Sequence, residues 1–218
     1  MKNLFFIVVA LISLTSLASC EKAQNHIYGK VTDMTTGEPI ANATIDLYLT
    51  EITSSGYSRT FTKFMSTVSD AEGNYNLNFE PKAVGEYKIK VSKKDFHTNT
   101  INFMPEETAS EYEKNVTIPK AGYIHYKIHN AYGPREGDEY DVARIKIEGI
   151  NPLCSECTTS DYISFEGLDV MEEGTWNIVA GEEITISRIL IRKGRQQSAK
   201  NTKYICNQGE TIEYSWNY

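Results

Sequence analysis

Apolar side chains in this chain recur at every second position. Ala43, Ile45, Leu47 and Leu49 alternate with Thr44, Asp46 and Tyr48, and Tyr75, Leu77 and Phe79 form a second such run. Tyr87, Ile89 and Val91 form a third. A period of two puts one set of side chains on a buried face and the other in water, which is the pattern of a β-strand. From residue 26 onward no run of ten residues keeps apolar positions at helical spacing behind a capping residue. Turn formers separate the runs. Asp33-Met34-Thr35-Thr36-Gly37-Glu38-Pro39 closes the first strand, and Asp70-Ala71-Glu72-Gly73 reads as a hairpin turn with Gly73 at positive φ. The chain is therefore expected to be all-β.

The first twenty residues do not belong to that pattern. A short positive start, Met1-Lys2-Asn3, precedes an uncharged apolar run from Leu4 to Leu14. Such a run suits a secretory signal and is too short for a bilayer-spanning helix, which needs ~20 residues. Leu17-Ala18-Ser19-Cys20 then resembles the bacterial lipobox. The resemblance implies cleavage after residue 19 and a diacylglyceryl thioether on Cys20, with palmitate-like acylation of the new amino group. Residues 20–25 would be the lipidated cysteine and its tether.

Strand-like runs from residue 26 to 118 form a first domain. Within it Gly29-Lys30-Val31-Thr32-Asp33, Thr36-Gly37-Glu38-Pro39-Ile40, Ala43-Thr44-Ile45, Thr67-Val68-Ser69-Asp70, Gly73-Asn74-Tyr75 and Gly85-Glu86-Tyr87 occur in sequence. Over residues 26–95 that order resembles carboxypeptidase regulatory-like domains. The resemblance implies a prealbumin-type sandwich of seven or eight strands without catalytic function. One departure is visible: Asp95-Phe96 stands where the family has glycine and an aromatic, so the turn there is expected to differ. Residues 51–63 are longer than a simple hairpin needs, which leaves room for a binding loop.

Pro119-Lys120-Ala121-Gly122 marks the junction to a second domain, residues 121–218. Ile124, Tyr126 and Ile128 alternate there, as do Ala143, Ile145 and Ile147, and the chain ends on Ile212, Tyr214, Trp216 and Tyr218. Ile184 and Ile186 are out of phase with Ile189 and Ile191, so a bulge is expected near Arg188. The expected architecture is two consecutive antiparallel β-sandwich domains after a cleaved signal peptide.

Four constellations carry chemistry. Cys154-Ser155-Glu156-Cys157 and Cys206 are the cysteines beyond Cys20. With no helix after the pair, a thioredoxin-like redox motif is disfavoured, and a structural zinc site lacks a fourth ligand. On the oxidising side of a membrane one disulfide is expected from the 154–157 loop to Cys206, with either cysteine of the pair as donor. Tyr132, Tyr140, Asp138 and Asp141 lie in an acidic loop that could contact a ligand. His125 and His129 sit four apart on a strand, ~13 Å along it, too far for one ion. Arg188, Arg192, Lys193, Arg195, Lys200 and Lys203 surround Gly194 and read as a water-exposed hairpin tip.

No His-Glu-x-x-His, nucleophile elbow or Gly-rich phosphate loop occurs. A net charge of −7, one unit more negative once Lys2 is removed, disfavours nucleic acid. The expected function is a non-catalytic binding or scaffold module without cofactor or metal. Lipid on Cys20 would tether it to the cell envelope, at the outer membrane. An envelope protein or a glycan would be its partner, as an accessory to nutrient uptake or adhesion. The alternatives are a hydrolase of transthyretin-related type, marked by His26, His97, His125 or His129 converging with carboxylates, and a metal-binding lipoprotein.

Overall fold

The computed structural model describes residues 24–54, 56–106, 108–131, 142–159, 162–167 and 170–218. Among the described residues there is no helix, and sixteen strands carry the fold. The first nine are β1 (Asn25–Asp33), β2 (Thr44–Thr53), β3 (Gly56–Tyr57), β4 (Thr62–Val68), β5 (Asn74–Phe79), β6 (Val84–Ser92), β7 (Asn99–Phe103), β8 (Glu111–Glu113) and β9 (Val116–Ile118). The remaining seven are β10 (Ala121–His129), β11 (Val142–Glu148), β12 (Ile163–Glu166), β13 (Met171–Val179), β14 (Glu183–Arg192), β15 (Arg195–Ile205) and β16 (Thr211–Asn217).

The first sandwich stacks a β5-β1-β8 sheet, with β9 also on β1, against a β3-β2-β6-β7 sheet, with β4 also on β2. Its core follows the period-two pattern: Ile27 and Val31 of β1 and Leu77 of β5 face Ile45 and Leu47 of β2 and Ile89 of β6, all essentially without solvent contact. The second sandwich stacks β13-β10-β16 on β12-β11-β14-β15. Ile124, Trp176 and Trp216 of one sheet meet Ile145, Ile184 and Ile186 of the other in a separate cluster. Burial of each such side chain stabilises by roughly 1.5–3 kcal/mol.

Several expectations are corrected by the structure. The sheets are not purely antiparallel: β1 pairs in parallel with β8 and β9, and β10 in parallel with β16. Residues 70–73 do form a tight turn, with Gly73 at φ 80°, but it is not a hairpin. β4 and β5 join different sheets, so the turn carries the chain across the sandwich. Arg188 sits in no bulge, since β14 pairs with β11 in unbroken register from Thr185 to Ile191. Ile184, Ile186, Arg188 and Leu190 share one phase, Ile189 and Ile191 lie half-buried on the other, and the irregularity against β15 falls between Leu190 and Ile191. Arg188 packs its guanidinium over the Trp216 ring, 5.2 Å from the centroid, and does not stand at the basic tip. That tip is a two-residue turn of Lys193 and Gly194, both at positive φ, between the paired Arg192 and Arg195. Finally, β2 continues through Glu51, Ile52 and Thr53 and pairs there with β3, which lays the Tyr57 ring over Gly85.

Asp95 adopts φ 62°, the left-handed conformation that glycine takes most readily. Its carbonyl accepts from the Ala121 N–H at 2.9 Å and from Gln208 Nε2 at 3.2 Å. The second sandwich thus holds a strained residue of the first in place.

Asp33 is the other fastening at the junction. Its carboxylate is 3 % exposed, accepts from the N–H groups of Thr35 and Thr36, and pairs with Lys120 at 2.7 Å. Burial alone would raise its pKa, but the Lys120 ammonium and the two backbone donors outweigh it and hold the carboxyl below the usual 3.8. Replacing Asp33 with Ala is expected to lower the unfolding free energy by about 2–3 kcal/mol in a urea titration, at the low end for a buried pair because Lys120 keeps water contact. Because the folded pKa is depressed, the contribution is complete above the unfolded value and fades as pH falls through the folded one. Stability of the native chain should therefore drop below about pH 4 by a component missing from Asp33→Asn.

Candidate functional site

Two places in the described residues bring chemistry-bearing side chains together: a groove on the outer face of the first sandwich, and the loop that carries the paired cysteines.

The groove follows from strand alternation. Ile27 and Val31 of β1 point inward, so His26, Tyr28, Lys30 and Thr32 line the opposite face. Register sets them beside Asn78, Asn76 and Asn74 of β5, with His26 opposite Asn78, Tyr28 opposite Asn76 and Lys30 opposite Asn74. On the other flank His26 faces Glu111 and Tyr28 faces Glu113. The result is an open groove of about 750 Å³ lined by His26, Tyr28, Asn74, Asn76, Glu113 and Asn115, among others. Its floor is a stacked ring pair, His26 on Tyr28, with centroids 4.8 Å apart and planes 29° off parallel. Asn115 is preset, since its Oδ1 accepts from the Lys30 N–H at 2.8 Å and its Nδ2 donates to Glu113 at 3.0 Å.

Gly29 makes this geometry attainable. It sits where β1 leaves β8 and takes up β9, and a Cβ there would overlap the Lys114 carbonyl. The Tyr75 hydroxyl donates to the same carbonyl at 2.5 Å and anchors the crossover. Sequence alone did not single out the groove, because each of its residues reads as an ordinary wet position on a strand.

The second place overturns the expected disulfide. Cys154 and Cys157 bond to each other, and Cys206 is a free, buried thiol. The physical reason is position. Cys206 follows β15 inside the second core, packed against Gly122, where its thiol donates to the Glu210 carbonyl at 3.2 Å. Burial pushes its pKa up, so it remains a protonated, inert thiol.

The 151–158 loop instead runs along β13, the outer strand of its sheet. Thr158 N–H donates to the Asn177 carbonyl at 2.9 Å, Asn177 N–H donates to Thr158 Oγ1 at 3.0 Å, and Asn177 Nδ2 donates to the Glu156 carbonyl at 2.9 Å. The loop thereby covers a sheet edge that would otherwise expose unpaired backbone groups. It also reaches the first sandwich, where Glu156 Oε2 accepts from the Thr98 N–H at 2.7 Å. His97, 3 % exposed, lies beside it, and one ring nitrogen and both sulfurs of the pair fall within 4.8 Å of one another. Sequence reasoning counted His97 among four scattered histidines and missed its place beside this pair. The residue is fifty-odd positions upstream of the cysteines and in the other sandwich, so no spacing rule could link them.

The remaining histidines are dispersed. His125 stands on the outer face of β10 between Glu173 at 3.2 Å and Glu213 at 3.0 Å, half-buried, and lines neither the groove nor the spaces beside the cysteine loop. His129 is exposed further along the same strand. Cys20, Tyr132, Asp138, Tyr140 and Asp141 lie outside the described residues.

Residues 26–119 match the family model of the carboxypeptidase regulatory-like domain. No curated protein matches the sequence. Among solved structures, the chain is similar to the Bacillus anthracis TIE protein at 13 % identity and TM-score 0.37, covering 89 % of this chain and 34 % of that one. It is similar to a DUF3823 family protein from Bacteroides uniformis at 10 % identity and TM-score 0.32, covering 84 % of this chain and 99 % of that one. It is also similar to the shaft pilin spaA of Lactobacillus rhamnosus GG at 8 % identity and TM-score 0.33, covering 89 % and 100 %. The chain thus spans about a third of the TIE protein's length.

The cysteine assignment gives a direct check. With an aromatic disulfide reagent, the folded chain from residue 21 onward should show no reactive thiol, and one after denaturation without reductant. A peptide map should join Cys154 to Cys157. A peptide linking either of them to Cys206 would refute the arrangement.

Proposed function

We propose that the protein is a non-catalytic binding module of the cell envelope, lipid-anchored through Cys20, which holds a neutral glycan across the outer face of its first sandwich. The observation that carries this reading is the stacked His26–Tyr28 floor set among amide and carboxylate side chains. A sugar ring presents an apolar C–H face and a rim of hydroxyls that both donate and accept. The ring pair offers a flat partner for the face. Asn74, Asn76 and Asn115 offer groups that donate and accept in turn, and Glu113 offers a strong acceptor. The groove is open along the strands, which suits an extended chain better than a small enclosed ligand. The acidic charge of −7 argues for a neutral polymer over a polyanion.

The anchor follows from the first twenty residues. Each buried methylene contributes roughly 0.8 kcal/mol, so two or three acyl chains hold the protein firmly where one would not. Tethered at residue 20, a few residues before β1 begins at Asn25, the first sandwich stands next to the membrane and the second stands beyond it. That placement suits an accessory to a glycan-uptake or adhesion complex at the outer membrane.

A glycan-array screen followed by calorimetry on the purified protein tests the binding claim. Tyr28→Ala is expected to weaken the best ligand at least tenfold, about 1.4 kcal/mol, with an unchanged melting curve. Failure of every glycan to bind, or equal binding by Tyr28→Ala, would exclude the groove. The anchor is tested separately: Cys20→Ser should move the protein from the membrane to the soluble fraction, and mass spectrometry of the native product should find acyl mass on Cys20.

A further inference from the structure

We infer that the junction loop is a redox-gated metal site: once the Cys154–Cys157 disulfide is reduced, the two thiolates and His97 hold one zinc ion, with Glu156 at the fourth position. The ligand set is the kind zinc takes, sulfur and imidazole with a carboxylate, and it comes from both sandwiches.

The orientation of His97 supports this most strongly. Its Nε2 lies 2.9 Å from the Ile178 carbonyl oxygen. A carbonyl can only accept, so Nε2 carries the proton and a neutral ring keeps its lone pair on Nδ1. An imidazole that donates one N–H to a backbone carbonyl and turns the other nitrogen toward a ligand cluster is the arrangement that fixes tautomer and ring angle in metal sites. Nδ1 lies 3.9 Å from the Glu156 carboxylate, too long for a hydrogen bond. The Tyr123 ring, edge-on at 5.7 Å, and the Pro119 carbonyl, which accepts from the His97 N–H at 2.9 Å, hold the residue in that pose.

Distances fit as well. Around a tetrahedral zinc with bonds of about 2.0–2.3 Å, ligand atoms stand roughly 3.5–3.8 Å apart. One imidazole nitrogen and both sulfurs already lie within 4.8 Å of one another, so the sulfurs need mainly to separate from their mutual bond. Access exists on two sides. A space of about 230 Å³ beside Cys154 and Cys157 opens past Pro152 and Thr159, and one of about 340 Å³ opens past Ser155 and Glu156 toward Lys88 and Lys90.

The step balances. A dithiol reductant, small molecule or protein, gives two electrons and two protons to the Cys154–Cys157 bond and itself becomes a disulfide. The two thiols formed release their protons to solvent as zinc binds. A disulfide oxidant takes the two electrons back and becomes a dithiol, which re-forms the Cys154–Cys157 bond and expels the ion, because a disulfide sulfur is a poor ligand.

Cobalt(II), which reports tetrahedral thiolate ligation by its absorption, tests the inference on the protein carrying residues 21–218. Oxidised chain should bind none. Chain reduced with a phosphine under anaerobic conditions should bind one equivalent with a thiolate charge-transfer band, and one equivalent of zinc should displace it. Cys154→Ser with Cys157→Ser should abolish the band. His97→Gln should weaken binding at least tenfold while the paired cysteines remain. Thermal melts of the oxidised forms identify any variant that fails to fold. In that case Glu156→Gln on folded protein, with a shifted cobalt spectrum, serves in its place. Cobalt uptake equal in oxidised and reduced chain, no uptake by reduced chain, or full affinity in folded His97→Gln would each overturn the proposal. None of these results bears on glycan binding, which lies on another face.

Discussion

The short passage from Pro119 to Gly122 is the constraint on which the rest depends. β9 ends at Ile118 and β10 begins at Ala121, so the two sandwiches are joined with no slack. The Lys120 carbonyl accepts from the Ala180 N–H at 2.9 Å, the Ala121 N–H donates to the Asp95 carbonyl, and the Ala121 carbonyl accepts from the Gly209 N–H at 2.8 Å. Lys120 itself reaches back to the buried Asp33. Backbone groups confined between two cores must be paired or they cost the fold heavily, and here each core supplies the other's partners.

That joint explains why residues far apart in sequence act together. With it in place, the turn at Asp95 can hold a left-handed conformation, His97 can seat its ring against Ile178 of the second sandwich, and the cysteine loop can reach Thr98 of the first. The groove on β1 and β5 owes nothing to the joint. It arises within one sheet, from strand alternation and from a glycine where one parallel partner gives way to another. The groove and the junction are therefore structurally separate parts of one chain.

Most of the strands were legible because burial on one face imposes a period of two, and Ile45, Leu47 and Leu49 or Tyr214, Trp216 and Tyr218 display it without ambiguity. Where the reading failed, it failed on partnership. Residues 70–73 had the composition of a tight turn, and they form one, but a turn does not say whether its strands pair with each other or with strands in opposite sheets. The phase change between Ile186 and Ile189 suggested a slip near Arg188. The strand keeps its register against β11, because an arginine can occupy an inward position by stacking on Trp216. Of the groove, a first strand starting at His26 was legible, but not the asparagine ladder that register sets beside it.

The amino-acid sequence by itself determined the all-β character, the apolar positions of both cores and the lipobox-like start, since each rests on local pattern: alternation, composition or a short contiguous motif. Tertiary structure alone decided that Cys154 bonds Cys157 and leaves Cys206 buried, and that His97 stands beside that pair. Those facts depend on which distant strands lie adjacent. Pairing across a sandwich is fixed by the joint burial of both sheets, a property no single segment carries.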